Sequence, residues 1–385
     1  MFITWLKNTA KRLLRLGARL AGQPLHYKHE TDALLTPYVV DHTPEQGVLL
    51  PTIRDSGIAE RTVFDAKEAV TLPTYVWHLP TTPAATRVLR SGAVWHRGAV
   101  LCTDYWTHHV VKDSLRPHRR TVVHVETVVA PFSHYPDMTA FGGYYDYIYL
   151  IFAKLCRIEK TLPGGFTEVA ITYPLFHTAY ESELLTLLGF TPDRIFDSRE
   201  YELQANTYLL GNGGDWFYPN LNDVVAARQR LTPLLPNQVA HPAHRLYISR
   251  AGRRRIVNEE ALMRLLEPYG FSFVEDRPRS LAEQLSLYHG ASFIIGPHGA
   301  SFSNITWCQP GTYLHELCSV NYAPDFFLYL AQLRQLHYSV SLHGAVRRQA
   351  IARSQIDDII VSIPTVERIL PHWLNSQLQP TERVQ

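Results

Sequence analysis

The sequence lacks the residues that usually announce a disulfide scaffold or a metal centre. Its 385 residues hold four cysteines, Cys102, Cys156, Cys308 and Cys318, and none forms a Cys-x-x-Cys pair. That excludes a disulfide framework or a zinc site of ordinary spacing, and suits buried thiols in a reducing compartment. There is no Asp-x-Asp and no His-Glu-x-x-His, and the adjacent Asp357 and Asp358 stand alone near the C-terminus. No metal or resident cofactor is therefore expected. No apolar run approaches the roughly 20 residues of a membrane span. The net charge of +2 leaves no field for a polyanion such as nucleic acid, so any basic function has to be local.

One absence is confined to the N-terminus: residues 1–29 contain no Asp or Glu. On a helical wheel Lys7, Lys11, Arg12, Arg15 and Arg19 fall on one side, and Phe2, Trp5, Leu6, Leu13, Leu16 and Leu20 on the other. A helix of that kind lies in a membrane interface, or packs on the protein's own core; both readings stand. Charge interrupts the apolar stretch, so a cleaved signal peptide is not expected. The expected location is cytoplasmic, with residues 1–22 offered to the inner membrane face.

What is present divides the chain. At 385 residues two domains are expected. The boundaries read as a helix over 1–25, an N-terminal α/β domain over 26–210, a glycine- and proline-rich linker over 211–243, a C-terminal Rossmann-like domain over 244–345, and a helical segment over 346–385 that returns to the first domain. After the linker, strand and helix alternate. HRLYISR (244–250), FSFVE (271–275), SFIIG (292–296) and TYLHEL (312–317) read as strands. Asn258 and Gly270 bound one helix, and Ser280 with Glu283 forms a capping box for the next. Such alternation predicts a parallel sheet covered on both faces. In the first half, GAVWHRGAVL (92–101) predicts a hairpin, TVVHVETVV (121–129) a strand, and residues 145–162 a buried helix. Residues 168–197 then predict a strand–helix–strand unit. GNGGDW (211–216) imitates a phosphate loop but lacks the Lys-Ser/Thr that would follow, and reads as a linker turn.

Ligands of such sheets bind beyond the carboxyl ends of the strands. Three stretches fall there. YISRAGRRRIVNE brings Ser249, Arg250 and Arg255, whose guanidiniums suit phosphate oxygens; the plain alternative is a solvated basic loop. IIGPHGASFSN brings Gly296, His298, Gly299, Ala300, Ser301 and Asn304. Its small residues allow close backbone approach, and a helix start offers free amides; a lone His there is also compatible with a structural role. Glu316 at the next strand end suits the two hydroxyls of a ribose, or alternatively a buried ion pair.

In this order, YISR, the later Arg with Asn-Glu, SLAEQ, the strand ending in His-Gly-Ala, Asn304 and Glu316 resemble glycosyltransferase family 61. The resemblance is dense over residues 245–318. It implies two Rossmann-like domains of the GT-B kind facing a cleft, a sugar nucleotide held by the C-terminal domain, and inversion without a metal. Arg250, Arg255, His298, Gly299, Ala300, Asn304 and Glu316 become donor-site residues by that resemblance. Many members carry Asn-Tyr-x-His-Trp at the start of the first domain's long helix, where this chain has Gly143-Tyr144-Tyr145-Asp146-Tyr147. An inverting transfer needs a base for the acceptor's proton. Asp146 is the first candidate, with His124 and Glu126 behind it and a helix cap as the competing role for Asp146. Tyr144, Tyr145 and Trp216 could stack on sugar rings.

The expected protein is thus a metal-independent inverting glycosyltransferase. It would move a hexose or pentose from a nucleotide-diphosphate sugar, with uridine the expected base, to a glycan or glycolipid acceptor. The rival is a non-catalytic sugar-nucleotide or glycan-binding protein that lost its base. An NAD-linked oxidoreductase is disfavoured, because arginines stand where a Gly-x-Gly-x-x-Gly would follow the first strand.

Overall fold

A computed structural model describes residues 28–82, 85–103, 119–131, 143–213, 218–235, 244–347 and 351–376, together with 9, 12–13, 16–20 and 24–26. Trp216 lies outside the described residues. The chain forms two compact units, Met1–Gln46 with Val70–Pro233 and Gly47–Ala69 with Leu234–Gln385. Both are α/β with parallel strands.

The first unit is built on a six-stranded mixed sheet. Its strands are β1 (Val39–Thr43), β2 (Thr74–Pro80), β3 (Thr121–Val129), β4 (Ala170–Tyr173), β5 (Ile195–Asp197) and β6 (Tyr201–Gly211), in the order β1-β2-β6-β3-β4-β5. The last four of that order run parallel, and β1 and β2 are antiparallel. After β3 comes the long helix α1, formed by Tyr144–Asp146, a π-helical stretch Tyr147–Phe152 and Ala153–Glu159. Every side chain from Tyr145 to Ile158 is buried, Asp146, Lys154 and Arg157 included, in keeping with the buried helix expected over 145–162. Helix α2 (Ala179–Leu187) is capped by Thr178, and Gly189 follows it at φ +89°. Helix α3 (Leu221–Leu231) also belongs to this unit, so the connection between units is shorter than the expected 211–243. The predicted hairpin is present as Val94–His96 and Ala99–Leu101, turned through Arg97 and Gly98 at positive φ.

The second unit carries a five-stranded, wholly parallel sheet. Its strands are β7 (Arg245–Ile248), β8 (Phe271–Val274), β9 (Phe293–Pro297), β10 (Tyr313–Ser319) and β11 (His337–His343), in the order β8-β7-β9-β10-β11. That is the doubly wound order whose ligand crevice opens where the winding reverses, between β7 and β9. Helices α4 (Glu259–Leu266) and α5 (Leu281–His289) follow β7 and β8, and α6 (Phe326–Leu333) precedes β11. Ser280 caps α5 as expected. Asn258 does not cap α4; its amide instead exchanges two hydrogen bonds with the backbone of Val361.

Two segments belong elsewhere than expected. The last helix, α7 (Ile363–Ser376), does not return to the first unit. Val366, Ile369, Leu370, Trp373 and Leu374 are buried against Tyr247, Leu262, Leu266 and Phe293 of the second. That row of apolar residues matches the apolar side of the β7–α4 unit, and burying it there satisfies both. Residues 47–69, expected in the first domain, group with the second. A short hairpin, Ile53–Arg54 with Thr62–Phe64, lays Asp55 beside Val340 of β11. The Asp55 carboxylate is buried and paired with Arg61.

Candidate functional site

Two loops of the second unit meet at its winding reversal. Gly296 near the end of β9 lets that strand approach β7 closely, since a Cβ there would stand 2.7 Å from the Ile248 carbonyl oxygen. His298 follows β9, and its amide donates to the carbonyl of Leu317 (3.1 Å). Gly299 leads into a 3₁₀ helix, Ala300–Trp307, whose first residues Ala300 and Ser301 are half-buried and exposed.

The loop after β7 folds back on His298. Arg250 Nη1 and Arg254 Nε both donate to the His298 carbonyl, at 3.1 and 3.2 Å. Arg254 also donates to the Gln355 carbonyl (2.6 Å) and lies over the ring of Tyr322 (5.6 Å). Its backbone holds φ +61°, in the left-handed region that non-glycine residues avoid. Neither arginine forms an ion pair among the described residues. Burial lowers both pKa values. For Arg250 the neighbours Arg254 and Arg253 add to the lowering, against Asp276, and bring it to about 10. For Arg254 the neighbours Tyr322, Cys318 and Glu316 oppose the lowering, while Arg253 adds to it. Two largely desolvated cations thus converge on one carbonyl, and a guanidinium that meets no carboxylate at ion-pair distance suits an anion.

The side chain of His298 is buried among Tyr322, Phe326 and Phe327. Its Nδ1 contacts Glu316, whose other oxygen accepts from the Tyr338 hydroxyl (2.6 Å). Burial lowers the His298 pKa; Glu316 pulls the other way, and Arg254 and Arg250 add to the lowering. Glu316 was expected to take ribose hydroxyls. It is instead fully buried, with one oxygen on His298 and one on Tyr338, and it fixes the imidazole. Asn304 is likewise turned inward: it donates to Gln284 (3.1 Å) and accepts from the Trp307 indole (3.0 Å), which ties the 3₁₀ helix to α5. Arg255 points away from this centre to Asp358, at 2.9 Å with its side chain 60% exposed. The arginine that converges with Arg250 is Arg254, one residue earlier. Ser249 continues the strand, donating its amide to Val274.

A His298 nitrogen, a Glu316 oxygen and the Cys318 sulfur lie within 4.8 Å of one another, a ligand-like trio that short spacings cannot reveal. It suits a metal poorly. Both Glu316 oxygens are engaged, burial raises the Cys318 thiol well above its ordinary range, and the two guanidiniums repel a cation. Within the trio, Glu316 is the hydrogen-bonded clamp on His298.

In the first unit Asp146 is buried, and its Oδ2 accepts from the Gly143 amide (3.2 Å) at the start of α1, the capping role weighed against catalysis. His124 and Glu126 lie on the exposed face in the middle of β3, and Glu126 accepts from Asn206 (2.7 Å). They are away from the carboxyl edge where sheets of this kind bind ligands. Tyr144 meets Tyr180 edge to face at 5.1 Å, and Tyr145 is buried.

Arginines converging at the winding reversal of a parallel sheet do not by themselves name a function, because one such fold serves many. The family comparison narrows it. The model described as Glycosyltransferase 61 matches residues 5–315. The chain belongs to glycosyltransferase family 61. The match takes in most of both units, including the first half, where the motifs alone carried little. Among curated proteins none matches the chain significantly.

Proposed function

We propose that this family 61 protein is an inverting glycosyltransferase of the GT-B kind. It works without a metal, and its second unit holds a nucleotide-diphosphate sugar with uridine as the base. The observation that carries this reading is the convergence of Arg250 and Arg254 on the His298 carbonyl beside the start of the Ala300–Trp307 helix. A diphosphate placed there meets two guanidiniums and helix-start amides, which stabilise the charge that builds on it as the glycosidic bond breaks. His298, held by Glu316, is fixed beside the same arginines. The first unit binds the acceptor hydroxyl of a glycan or glycolipid. Titration of UDP, GDP and inorganic pyrophosphate into the full chain by calorimetry tests the reading. UDP binding that weakens by about tenfold or more in Arg254→Ala supports it, and absence of diphosphate binding overturns it.

A non-catalytic binding protein remains the second reading, favoured by one observation: the Asp146 carboxylate caps its own helix. Turnover of a UDP-sugar separates the two.

The N-terminal segment fits a peripheral attachment to an anionic membrane, where lipid-linked or cell-surface glycan precursors are assembled. Leu13, Leu16 and Leu20 are 63%, 54% and 82% exposed, whereas Ala18 is buried against Leu25, Leu89 and Val100. Leucines at those positions share the helix side opposite Ala18, with Arg12 and Arg19 exposed beside them. Among the described residues no helix is long and apolar enough to cross a membrane.

A further inference from the structure

The carboxyl edge of the first unit's sheet holds a pair of residues that the motifs did not mark. Strands β4 and β5 are parallel neighbours, with Tyr173 in register with Asp197. Asp197 ends β5, and His177 stands in the loop that leads from β4 into α2. His177 Nε2 lies 3.0 Å from Asp197 Oδ2. The imidazole is 63% exposed and the carboxylate 5%. No partner for Nδ1 occurs among the described residues.

This pair is supported from both sides. Arg199 donates from Nε to both Asp197 oxygens (2.9 and 3.0 Å), from Nη2 to Oδ2 (2.5 Å) and from its amide to Oδ1 (2.8 Å). Burial works to raise the Asp197 pKa, and these bonds outweigh it, so the carboxylate stays charged. On the other side, Glu181 of α2 is a buried pin. It accepts from the Tyr173 hydroxyl (2.6 Å), the Phe176 amide (3.0 Å) and the His177 amide (2.7 Å). That grip holds His177 at φ +54°, a left-handed conformation that a histidine keeps only where its surroundings impose it. A sheet-end carboxylate orienting an exposed imidazole is the arrangement of a general base and its orienting partner. Half-buried Tyr144 and Tyr180, in edge contact, line the neighbouring start of α1 and α2 and suit the face of a sugar.

We infer that His177, oriented by Asp197, is the base that accepts the acceptor hydroxyl's proton. The assignment rests on the transferase reading above and replaces Asp146 in that role. Nε2–H donates to Asp197, which leaves the Nδ1 lone pair for the substrate. The acceptor oxygen forms a bond to the anomeric carbon as that carbon's bond to the diphosphate oxygen breaks. The electron pair leaves with the nucleoside diphosphate, and the hydroxyl proton passes to Nδ1. Asp197 is a positioning residue. Asp197 is the charged partner of the imidazole, Arg199 holds Asp197, and Glu181 holds the His177 backbone amide.

The test uses the full chain, with UDP release from UDP-glucose, UDP-galactose, UDP-N-acetylglucosamine and UDP-xylose, and with simple alkyl glycosides as acceptors. His177→Asn is the informative variant, because asparagine tolerates positive φ. It should lower release by about 100-fold or more while UDP affinity by calorimetry stays within about twofold. Asp197→Asn should lower kcat by about 10-fold or more while the KM for the UDP-sugar and UDP affinity stay near wild type, since the imidazole loses the partner that orients it. A purely structural carboxylate would lower the melting temperature and leave kcat at the wild-type value below that temperature, and that result removes Asp197 from the assignment. Undiminished release in His177→Asn with UDP still bound overturns the base and leaves the donor site standing. A wild-type chain that neither binds UDP nor turns over any UDP-sugar overturns the donor reading and this assignment together.

Discussion

Arg254 and Arg255 are adjacent in the chain and serve opposite sides of it. Arg254 turns inward to the carbonyl of His298, whereas Arg255 reaches outward to Asp358. The left-handed backbone at Arg254 separates their directions. The two side chains therefore predict different consequences. Arg254→Ala removes a desolvated, charge-assisted contact and should weaken UDP binding by about 1.5–3 kcal/mol, roughly 10- to 150-fold. Arg255→Ala breaks an exposed pair worth at most about 1 kcal/mol and should leave UDP affinity within a few-fold. Calorimetry on both variants checks this, and equal losses would refute the assignment of Arg254.

Gly296 in β9 and Gly299 in the loop that follows should fail in different ways. A Cβ at Gly299 would stand 1.7 Å from Arg250 Nη1, the mobile end of a long side chain. Gly299→Ala should therefore displace the guanidinium and weaken UDP binding, with little effect on folding. At Gly296 the obstacle is the Ile248 backbone carbonyl, 2.7 Å away, and strands β7 and β9 would have to part. Gly296→Ala should cost about 1–3 kcal/mol in urea denaturation.

Much of the second unit was legible because its chemistry repeats locally. Ser280 with Glu283, Gly270 after α4, and apolar strands ending in Gly or Glu are short-range signals, and the structure keeps each near its expected place. What lay beyond the sequence depends on long-range partners. Nothing in GRRR distinguishes the inward arginine from the outward one; the choice follows from a positive φ and from Asp358, about a hundred positions away. The burial of Glu316 is set by Tyr338 on β11, a strand that no motif marked, and Asn258 gave up its cap to Val361. His177 was silent for a different reason. Its partner Asp197 lies on a neighbouring strand, and a single histidine after YPLF has no spacing to read.

The exposed leucines of the N-terminal segment predict vesicle binding. Replacing Leu13, Leu16 and Leu20 together with serine should abolish co-sedimentation with vesicles containing anionic phosphatidylglycerol. The melting temperature should not fall, because these side chains are already exposed. Wild-type binding should weaken as salt rises, through screening of Arg12 and Arg19. Equal sedimentation of the variant and the wild type would refute the role of these leucines.

A buried histidine chain makes the second unit sensitive to acid. His315 bonds Ser339 (2.8 Å) and Ser341 (2.9 Å), and Ser341 bonds His343 (2.7 Å). Burial lowers the His343 pKa to about 4, despite nearby Asp55, and lowers His315 and His298 as well. The sign follows from where protons bind. Below about pH 6.5 the unfolded chain takes up a proton at each histidine, while folded His343 stays neutral until about pH 4. Stability should therefore fall as pH drops through that window, by about 3 kcal/mol from His343 alone. Urea midpoints measured from pH 7.5 to pH 4.5 check this. His343→Gln cannot take up that proton, so its midpoints should decline less steeply over the same range, even if it starts less stable for want of the Ser341 contact. A variant with the wild-type slope would show that the acid sensitivity arises elsewhere.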